Sequence, residues 1–171
     1  MKDKHPRVIL AFGTDTDFFQ QNDKESKIYD AFYPGTYSDN WKRASLFAEA
    51  TRGYKAVSAG TLQQDGLSGY MKCMEVGAYP LVGLLPTRLI ALLYQMSKTV
   101  ILTGWHGSER SALESAANNL PLVVTKDNNL LCSLFPDDLI IKTEPNVSAI
   151  RDGFLEALDK KVKTRDYLFD M

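Results

Sequence analysis

The stretch TGWHGSERSALE, residues 103–114, places residues that could do chemistry where an apolar strand would end. If a helix begins near Ser108, Glu114 lies about one and a half turns inside it, on a stripe otherwise made of alanine and leucine. A carboxylate in apolar surroundings is desolvated, and it can attack or stabilise an oxocarbenium-like sugar carbon. Glu114 is therefore a candidate catalytic nucleophile at a glycosidic carbon. The alternative is a surface glutamate on an amphipathic helix.

Glycines follow three of the predicted strands, at Gly13, Gly60 and Gly104. Ligands of open α/β sheets bind outside the carboxyl ends of the strands, so these turns are expected to converge on one crevice. The helix that opens near Ser108 could hold an anion such as phosphate, because a helix N-terminus carries free N–H groups and the positive end of the helix dipole. Alternatively, each glycine serves only to make a tight turn.

The elements that must position these residues alternate along the chain. Six apolar runs predict strands at residues 7–12, 54–59, 79–85, 98–103, 120–124 and 138–142. Apolar residues at helical spacing predict helices at residues 38–53, 66–77, 86–97, 108–119 and 146–161. This alternation predicts an α/β fold, a three-layer Rossmann-like sandwich with a mainly parallel, doubly wound sheet, formed by one domain over residues 1–171.

One stretch, residues 13–37, interrupts this alternation because its polar and aromatic residues follow no single period. It is longer than a usual loop between a strand and a helix. Its aromatic residues could stack on a planar ligand or close over one; alternatively, the stretch is an irregular lid or dimer contact that packs them internally. These residues are Phe18, Phe19, Tyr29, Phe32, Tyr33 and Tyr37.

The composition argues against several classes of function. The formal net charge is -1, and no dense lysine and arginine stripe favours a nucleic-acid partner. Cys73 and Cys132 stand outside any CxxC pattern, so no metal site is expected. The chain lacks GxGxxG and GxxxxGK[ST] motifs, which disfavours classical NAD binding and ATP hydrolysis. No apolar run approaches the ~18 residues of a membrane span or the length of a signal peptide core, which predicts a cytoplasmic protein without a membrane partner.

The stretch TVILTGWHGSERSALESAANNLPLVV resembles the signature of the nucleoside 2-deoxyribosyltransferase superfamily. In that signature a strand ends in a Gly-Trp turn, a serine follows, and a catalytic glutamate lies in the next helix. Gly104, Trp105, Ser108 and Glu114 match it.

A longer stretch, residues 57–108, is similar in order to the Lonely Guy phosphoribohydrolases and their lysine decarboxylase-like relatives. The residues that fall in place are Gly60, Gly66, Leu67, Pro86, Arg88, Gly104 and Gly107. Thr103, Trp105 and Ser111 depart from the pattern, at the places of a proline, a glycine and that family's glutamate.

Both resemblances imply an enzyme, a hydrolase (glycosidase) or transferase acting on the N-glycosidic bond of a nucleoside or nucleoside 5′-monophosphate, with no cofactor. They imply that Ser108 and Gly107 hold the 5′ group and that Glu114 is the nucleophile. The alternative is a non-catalytic nucleotide-binding sensor of the SLOG type. Homo-oligomers are common among these families and are implied for this chain.

Further substrate-binding candidates follow from position in the predicted sheet. Asp15 and Asp17 follow the first strand and could orient the base or sugar. Arg88 could neutralise a phosphate or form an exposed ion pair. Trp105 could line the floor of the sugar pocket, and His106 could carry a proton or remain a surface residue.

Overall fold

The computed structural model of the protein describes residues 14–20 and 26–170. Within these residues the chain forms the strands β1 (Ala31–Pro34), β2 (Ala56–Gly60), β3 (Pro80–Val82), β4 (Val100–Leu102), β5 (Leu122–Thr125) and β6 (Ile140–Thr143). All neighbouring strands pair in parallel, in the order β3-β2-β1-β4-β5-β6. The predicted α/β, Rossmann-like fold with a parallel, doubly wound sheet is therefore confirmed.

Helices connect the strands and cover the sheet. They are α1 (Ala44–Ala50), α2 (Leu67–Val76), α3 (Thr87–Gln95), α4 (Glu109–Ala117), α5 (Asn129–Leu134), α6 (Val147–Asp159) and α7 (Thr164–Asp170). The five predicted helices correspond to α1, α2, α3, α4 and α6, each with shorter bounds. The sequence did not predict α5 and α7, because helices of six and seven residues show too little of the helical period.

Each face of the sheet has its own apolar core, because successive side chains of a strand point to opposite faces. Phe32 of β1 packs edge-to-face against Tyr94 of α3, with 5.0 Å between ring centroids. Its neighbour Tyr33 packs on the other face against Phe47 of α1, with centroids 5.2 Å apart. Both faces are covered, which explains why the strands read as nearly continuous apolar runs.

The central strand differs from the sequence prediction. β1 lies inside residues 13–37, which were predicted to be irregular, and it pairs with β2 at four positions. The strand predicted at residues 7–12 lies outside the described residues. Because β1 has only four residues and ends in Pro34, it is too short to show a strand period. Pairing within the sheet, rather than local propensity, fixes its conformation.

Most aromatic residues of this stretch are core residues. Phe19, Phe32, Tyr33 and Tyr37 are buried, whereas Phe18 is exposed. The Tyr37 hydroxyl donates a hydrogen bond to Ser58 Oγ at 2.9 Å. These four rings therefore pack inside the protein, as one of the two alternatives predicted. They are not available to stack on a ligand.

The strand order reverses between β1 and β4. The chain leaves β1 towards β2 on one side and leaves β4 towards β5 on the other. The connections after β1 and β4 therefore diverge and leave a crevice at the carboxyl ends of the strands. This switch point is where doubly wound sheets bind their ligands.

Three further observations concern the described residues as a set. No helix among them is long and apolar enough to cross a membrane. None of their histidine, cysteine, aspartate and glutamate side chains form a group of three or more that could hold a metal ion. Cys73 is buried and Cys132 partly buried, and both are free thiols.

Gly60, the last residue of β2, packs closely against the backbone of Gly35, which directly follows β1. A Cβ atom at this position would overlap the carbonyl oxygen of Gly35. We expect Gly60→Ala to lower the free energy of unfolding by about 1–3 kcal/mol, because overpacking forces the two backbones apart. Denaturant titration measures this loss.

The control is Gly53→Ala. Gly53 has a φ of 88° but open space around its Cα, so alanine there meets only the backbone cost of about 1 kcal/mol. Equal losses for the two variants would contradict the proposed close contact at Gly60.

Candidate functional site

Two chain segments meet over the crevice at the switch point. One runs from the end of β1 to α1 and carries Lys42, and the other is the turn 103–108 between β4 and α4. The Thr103 hydroxyl lies 2.8 Å from the carbonyl oxygen of Lys42 and 2.9 Å from that of Arg43. The backbone N–H of Trp105 donates to the carbonyl of Trp41 at 3.1 Å. These contacts hold the two segments together.

Lys42 is the cation of the site. Its side chain is nearly buried, at 8% exposure, and its Nζ donates to Ser108 Oγ at 2.7 Å and to the His106 carbonyl at 3.1 Å. Burial lowers the pKa of the Lys42 ammonium, while the Glu109 carboxylate raises it. A buried ammonium bound only to neutral oxygens retains strong attraction for an anion.

Residues with left-handed backbone occur on both sides of the crevice. Arg43 has a φ of 53° and Ser108 a φ of 81°, conformations that non-glycine residues seldom adopt. Arg43 ends the segment that presents Lys42 and forms an ion pair with Asp127 at 2.5 Å. Strain of this kind persists where surrounding contacts hold it, and it concentrates at ligand sites.

The two glycines of the turn are required by different constraints, close packing on backbone at Gly104 and a left-handed backbone conformation at Gly107. A Cβ atom on Gly104 would lie 2.9 Å from the Trp41 carbonyl oxygen, and one on Gly107, which has a φ of 72°, would lie 2.8 Å from Lys42 Nζ. The side-chain amide of Asn128 donates to the carbonyls of both glycines, at 2.8 and 3.1 Å. The turn is thus fixed from the β5 side as well.

The turn leads into the N-terminus of α4, which begins at Glu109. Ser108 directly precedes the free N–H groups of this helix end, and its hydroxyl is hydrogen-bonded to the Lys42 ammonium. Because Ser108 Oγ accepts its hydrogen bond from Lys42, its own proton is available to a ligand. Lys42, Gly107, Ser108 and the α4 N-terminus together form what we call the anion cradle.

Glu114 faces the crevice from α4. The residue is only 5% exposed, and it lines a cavity of about 240 Å³. Other residues that line this cavity are Pro34, Ala59, Leu85, Thr87, Ile90, Arg110 and Ser111. Arg110 Nε donates to Glu114 Oε1 at 2.9 Å. Burial raises the pKa of the Glu114 carboxyl, and hydrogen bonds from Arg110 and Tyr94 partly offset that rise.

Five of the predicted site residues lie at the crevice, and all of them belong to one continuous stretch of the chain. They are Gly104, Trp105, Gly107, Ser108 and Glu114. Gly60 lies at the neighbouring strand end, packed on Gly35 as described. Gly13 lies outside the described residues.

Three other predicted residues lie elsewhere. The Asp15 side chain accepts hydrogen bonds from the amides of Asp17 and Phe18, and Asp17 contacts Arg165 of α7 at 3.5 Å. Arg88 lines a separate, open cleft of about 630 Å³ between α3 and Phe18. These placements correct the expectation that the three residues share the crevice. Asp15 and Asp17 precede β1, the strand that lies between β2 and β4, and Arg88 lines the cleft beside α3.

Lys42 and Asn128 were not predicted as site residues. A lysine inside a predicted helix reads as part of its solvated face, so nothing in the pattern of residues 38–53 marked Lys42. Asn128 carried a recognisable signal, because asparagine is a preferred N-cap and its side chain accepts from Leu131 N at 3.2 Å.

No known family model matches the sequence, and no curated protein matches it significantly. Solved structures do match over most of the chain. A C-terminal domain of a glycosyl transferase group 1 family protein from Francisella tularensis has a TM-score of 0.70 and 17% identity, and the match covers 92% of this chain and 97% of that domain.

Two longer proteins have similar scores. A glycosyltransferase from Rickettsia africae has a TM-score of 0.69 and 14% sequence identity, and the match covers 92% of this chain. The Anabaena protein HepE, solved in complex with UDP and glucose, has a TM-score of 0.68 and 13% sequence identity, and the match covers 86% of this chain. The matches cover 51% and 46% of those two chains. This chain therefore spans about half of their length.

These structures overturn the resemblances drawn from the sequence. The matching structures are glycosyltransferases, and not nucleoside 2-deoxyribosyltransferases, Lonely Guy proteins or SLOG domains. The prediction failed because an apolar strand, a glycine turn and a helix with a serine start form a local unit that Rossmann-like folds share. Likeness over such a unit does not distinguish families.

The predicted reaction is wrong for the same reason. Hydrolysis or deoxyribosyl transfer at an N-glycosidic bond has no support among glycosyltransferase structures, and neither has the sensor alternative. The descriptions hydrolase and glycosidase are therefore withdrawn, together with the role of Glu114 as the nucleophile of that reaction. Transferase remains compatible with the structural neighbours.

The lowered pKa of Lys42 predicts how stability changes with pH. Between that pKa and its ordinary value near 10.5, the unfolded chain binds a proton that the folded chain has lost, so stability rises with pH. Lys42→Met removes this titration. We expect the unfolding free energy of the parent, minus that of Lys42→Met, to increase as the pH is raised from neutral towards 10.5.

The matched control is Lys98→Met. Lys98 is an exposed lysine paired with Asp30 just before β4, at the opposite end of the sheet. Denaturant titrations of the three proteins over this pH range measure the differences. A parent-minus-Lys42→Met difference that stays constant would contradict the burial of the Lys42 ammonium.

Proposed function

We propose that this chain is the nucleotide-sugar-binding part of a glycosyltransferase. The crevice holds a nucleoside diphosphate sugar, with the diphosphate on the anion cradle and the nucleoside in the Glu114 cavity. The observation that carries this proposal is the nearly buried Lys42 ammonium, hydrogen-bonded to Ser108 at the open N-terminus of α4.

The anion cradle supplies two kinds of attraction to a phosphate. The free N–H groups of α4 point towards an anion along the helix dipole, and Lys42 adds a full charge that is poorly solvated. Glu109 in the first turn of α4 favours the helix but opposes an anion, so the lysine is needed for net attraction. A diphosphate offers enough oxygens to use the ammonium, the Ser108 hydroxyl and the backbone amides together.

The Glu114 cavity suits a nucleoside. A carboxylate accepts hydrogen bonds at two oxygens, and Arg110 engages Oε1 of Glu114. The remaining capacity can accept from the neighbouring hydroxyls of a ribose, as acidic residues do in related sheets. The apolar side chains of Pro34, Leu85 and Ile90 provide surface for a base.

Sugar transfer from a nucleoside diphosphate develops negative charge on the diphosphate, which in this proposal lies in the anion cradle. The bond between the anomeric carbon and the outer phosphate oxygen breaks, the acceptor oxygen bonds to the carbon, and its proton is released. The negative charge that develops on the departing diphosphate is stabilised by Lys42 and the α4 N-terminus. In this proposal Glu114 binds the nucleoside and forms no bond to the sugar.

The structural neighbours support the same substrate class. HepE was solved with UDP and glucose, and its fold matches this chain over 86% of our sequence. Because this chain spans about half of that protein, we propose the nucleotide-binding role for the chain itself. The acceptor and the transfer reaction belong to the proposal for the whole enzyme.

Titration calorimetry with UDP, GDP and ADP tests the cradle. We expect at least one diphosphate to bind and Lys42→Met to weaken it by about 10- to 100-fold, which corresponds to loss of a charged hydrogen bond. Lys98→Met, at the other end of the sheet, leaves the affinity unchanged. If none of the three nucleotides binds to the parent protein, or if Lys42→Met binds as tightly as the parent, the proposal fails.

The Glu114 cavity makes a second, separate prediction. Glu114→Gln keeps the side-chain shape but replaces one acceptor oxygen by a donor, so we expect about tenfold weaker binding of the nucleoside diphosphate and of the free nucleoside alike. Inorganic pyrophosphate, which lacks the ribose, should bind the parent and the variant equally. A variant that loses pyrophosphate affinity as well would place Glu114 in the cradle instead.

A further inference from the structure

Three aromatic rings lie side by side next to the anion cradle. The ring centroids of Trp105 and His106 are 5.7 Å apart with planes inclined at 36°, and those of Trp41 and His106 are 6.5 Å apart at 35°. Trp105 is 48% exposed, His106 is exposed and Trp41 is half-buried. We call these three residues the aromatic ledge.

The two indole rings of the ledge are held in place by the protein. Trp105 Nε1 donates to the Asn40 carbonyl at 2.9 Å, and Trp41 Nε1 donates to Gln63 Oε1 at 3.2 Å. Their polar atoms therefore have partners, and the surfaces left to a ligand are ring faces. Tryptophan rings fixed in this way present a preorganised surface.

The ledge adjoins the cradle through Lys42. Lys42 Nζ lies 4.8 Å from the centroid of the Trp41 ring and also donates to Ser108 Oγ. The ledge shares no residue with the lining of the Glu114 cavity. A group joined to a phosphate in the cradle therefore meets aromatic faces at the ledge, whereas the nucleoside has its own cavity.

We propose that the aromatic ledge binds the C–H face of a pyranose ring. The C–H bonds on one face of such a ring carry partial positive charge, and they match the negative face of an indole. The side chains of Lys42 and Gln63 border the ledge and can meet the ring hydroxyls. The ring is either the sugar carried on the diphosphate, in which case this inference rests on the proposed function, or one ring of a free glycan.

Fluorescence can test the ledge directly, because both tryptophans of the chain belong to it. Tryptophan emission is followed with uridine, UDP, UDP-glucose, UDP-galactose, UDP-N-acetylglucosamine and maltotriose. We expect at least one UDP-sugar, or maltotriose, to change the emission, whereas uridine does not. A response to a UDP-sugar that differs from the response to UDP assigns the ring to the donor, and a response to maltotriose assigns it to a glycan.

The variants are Trp105→Ala and Trp105→Phe, at an exposed position that the core does not need. We expect Trp105→Ala to lower the affinity for the sugar ligand that changes the emission by about 2- to 10-fold, while the affinity for UDP stays unchanged. Trp105→Phe should retain most of the parent affinity, because it keeps an aromatic face. Titration calorimetry measures both affinities.

The outcomes separate the two proposals. If UDP binds but no sugar affects emission or depends on Trp105, the ledge proposal fails and the proposed function stands. If no nucleotide binds but maltotriose binds through Trp105, the proposed function fails and the ledge stands. If Trp105→Ala weakens uridine as much as it weakens a UDP-sugar, the ledge holds a base and the proposal is wrong.

Discussion

The site depends on one interaction, the hydrogen bonding of the Lys42 ammonium across the switch point to Ser108 and the His106 carbonyl. It places a positive charge at a helix N-terminus, where an anion is already favoured, and it removes most of the water that would screen that charge. The hydroxyl of Thr103 and the amide of Asn128 hold the same turn from two other directions. The crevice is therefore a rigid structure in which few side chains can move independently.

Burial has opposite effects on the two ionisable groups of the crevice. It lowers the pKa of Lys42 and raises that of Glu114, so the charged form of each is disfavoured in the absence of ligand. A phosphate beside the lysine compensates that cost, and so do hydroxyl donors beside the carboxylate. In the proposed complex, the ligand would therefore stabilise the charged forms of Lys42 and Glu114. Binding sites commonly contain groups that lower the stability of the fold when no ligand is present.

The alternation of apolar runs and helical periods predicted the fold, and the residues from Gly104 to Glu114 could be predicted because one local stretch carries them. Lys42 could not, since 66 positions separate it from Ser108 and only strand pairing brings them together. β1 was missed because four residues ending in Pro34 show no period. Asp15 and Asp17 were misplaced because β1, the strand between β2 and β4, follows them in the chain, and Arg88 because it lines a different cleft at the start of α3. The family was misjudged because its local unit is common to many Rossmann-like proteins.

The register between β1 and β4 has a mechanical consequence. These strands pair only at Phe32 and Val100, whereas every other neighbouring pair of strands matches at three or four positions. Tyr29 and Ser97 form a further bridge just before these two strands, and the Lys42 ammonium adds hydrogen bonds from the segment after β1 to the turn after β4. The side-chain contacts of Lys42, Thr103 and Trp105 thus connect the two segments where the ladder between their strands is shortest.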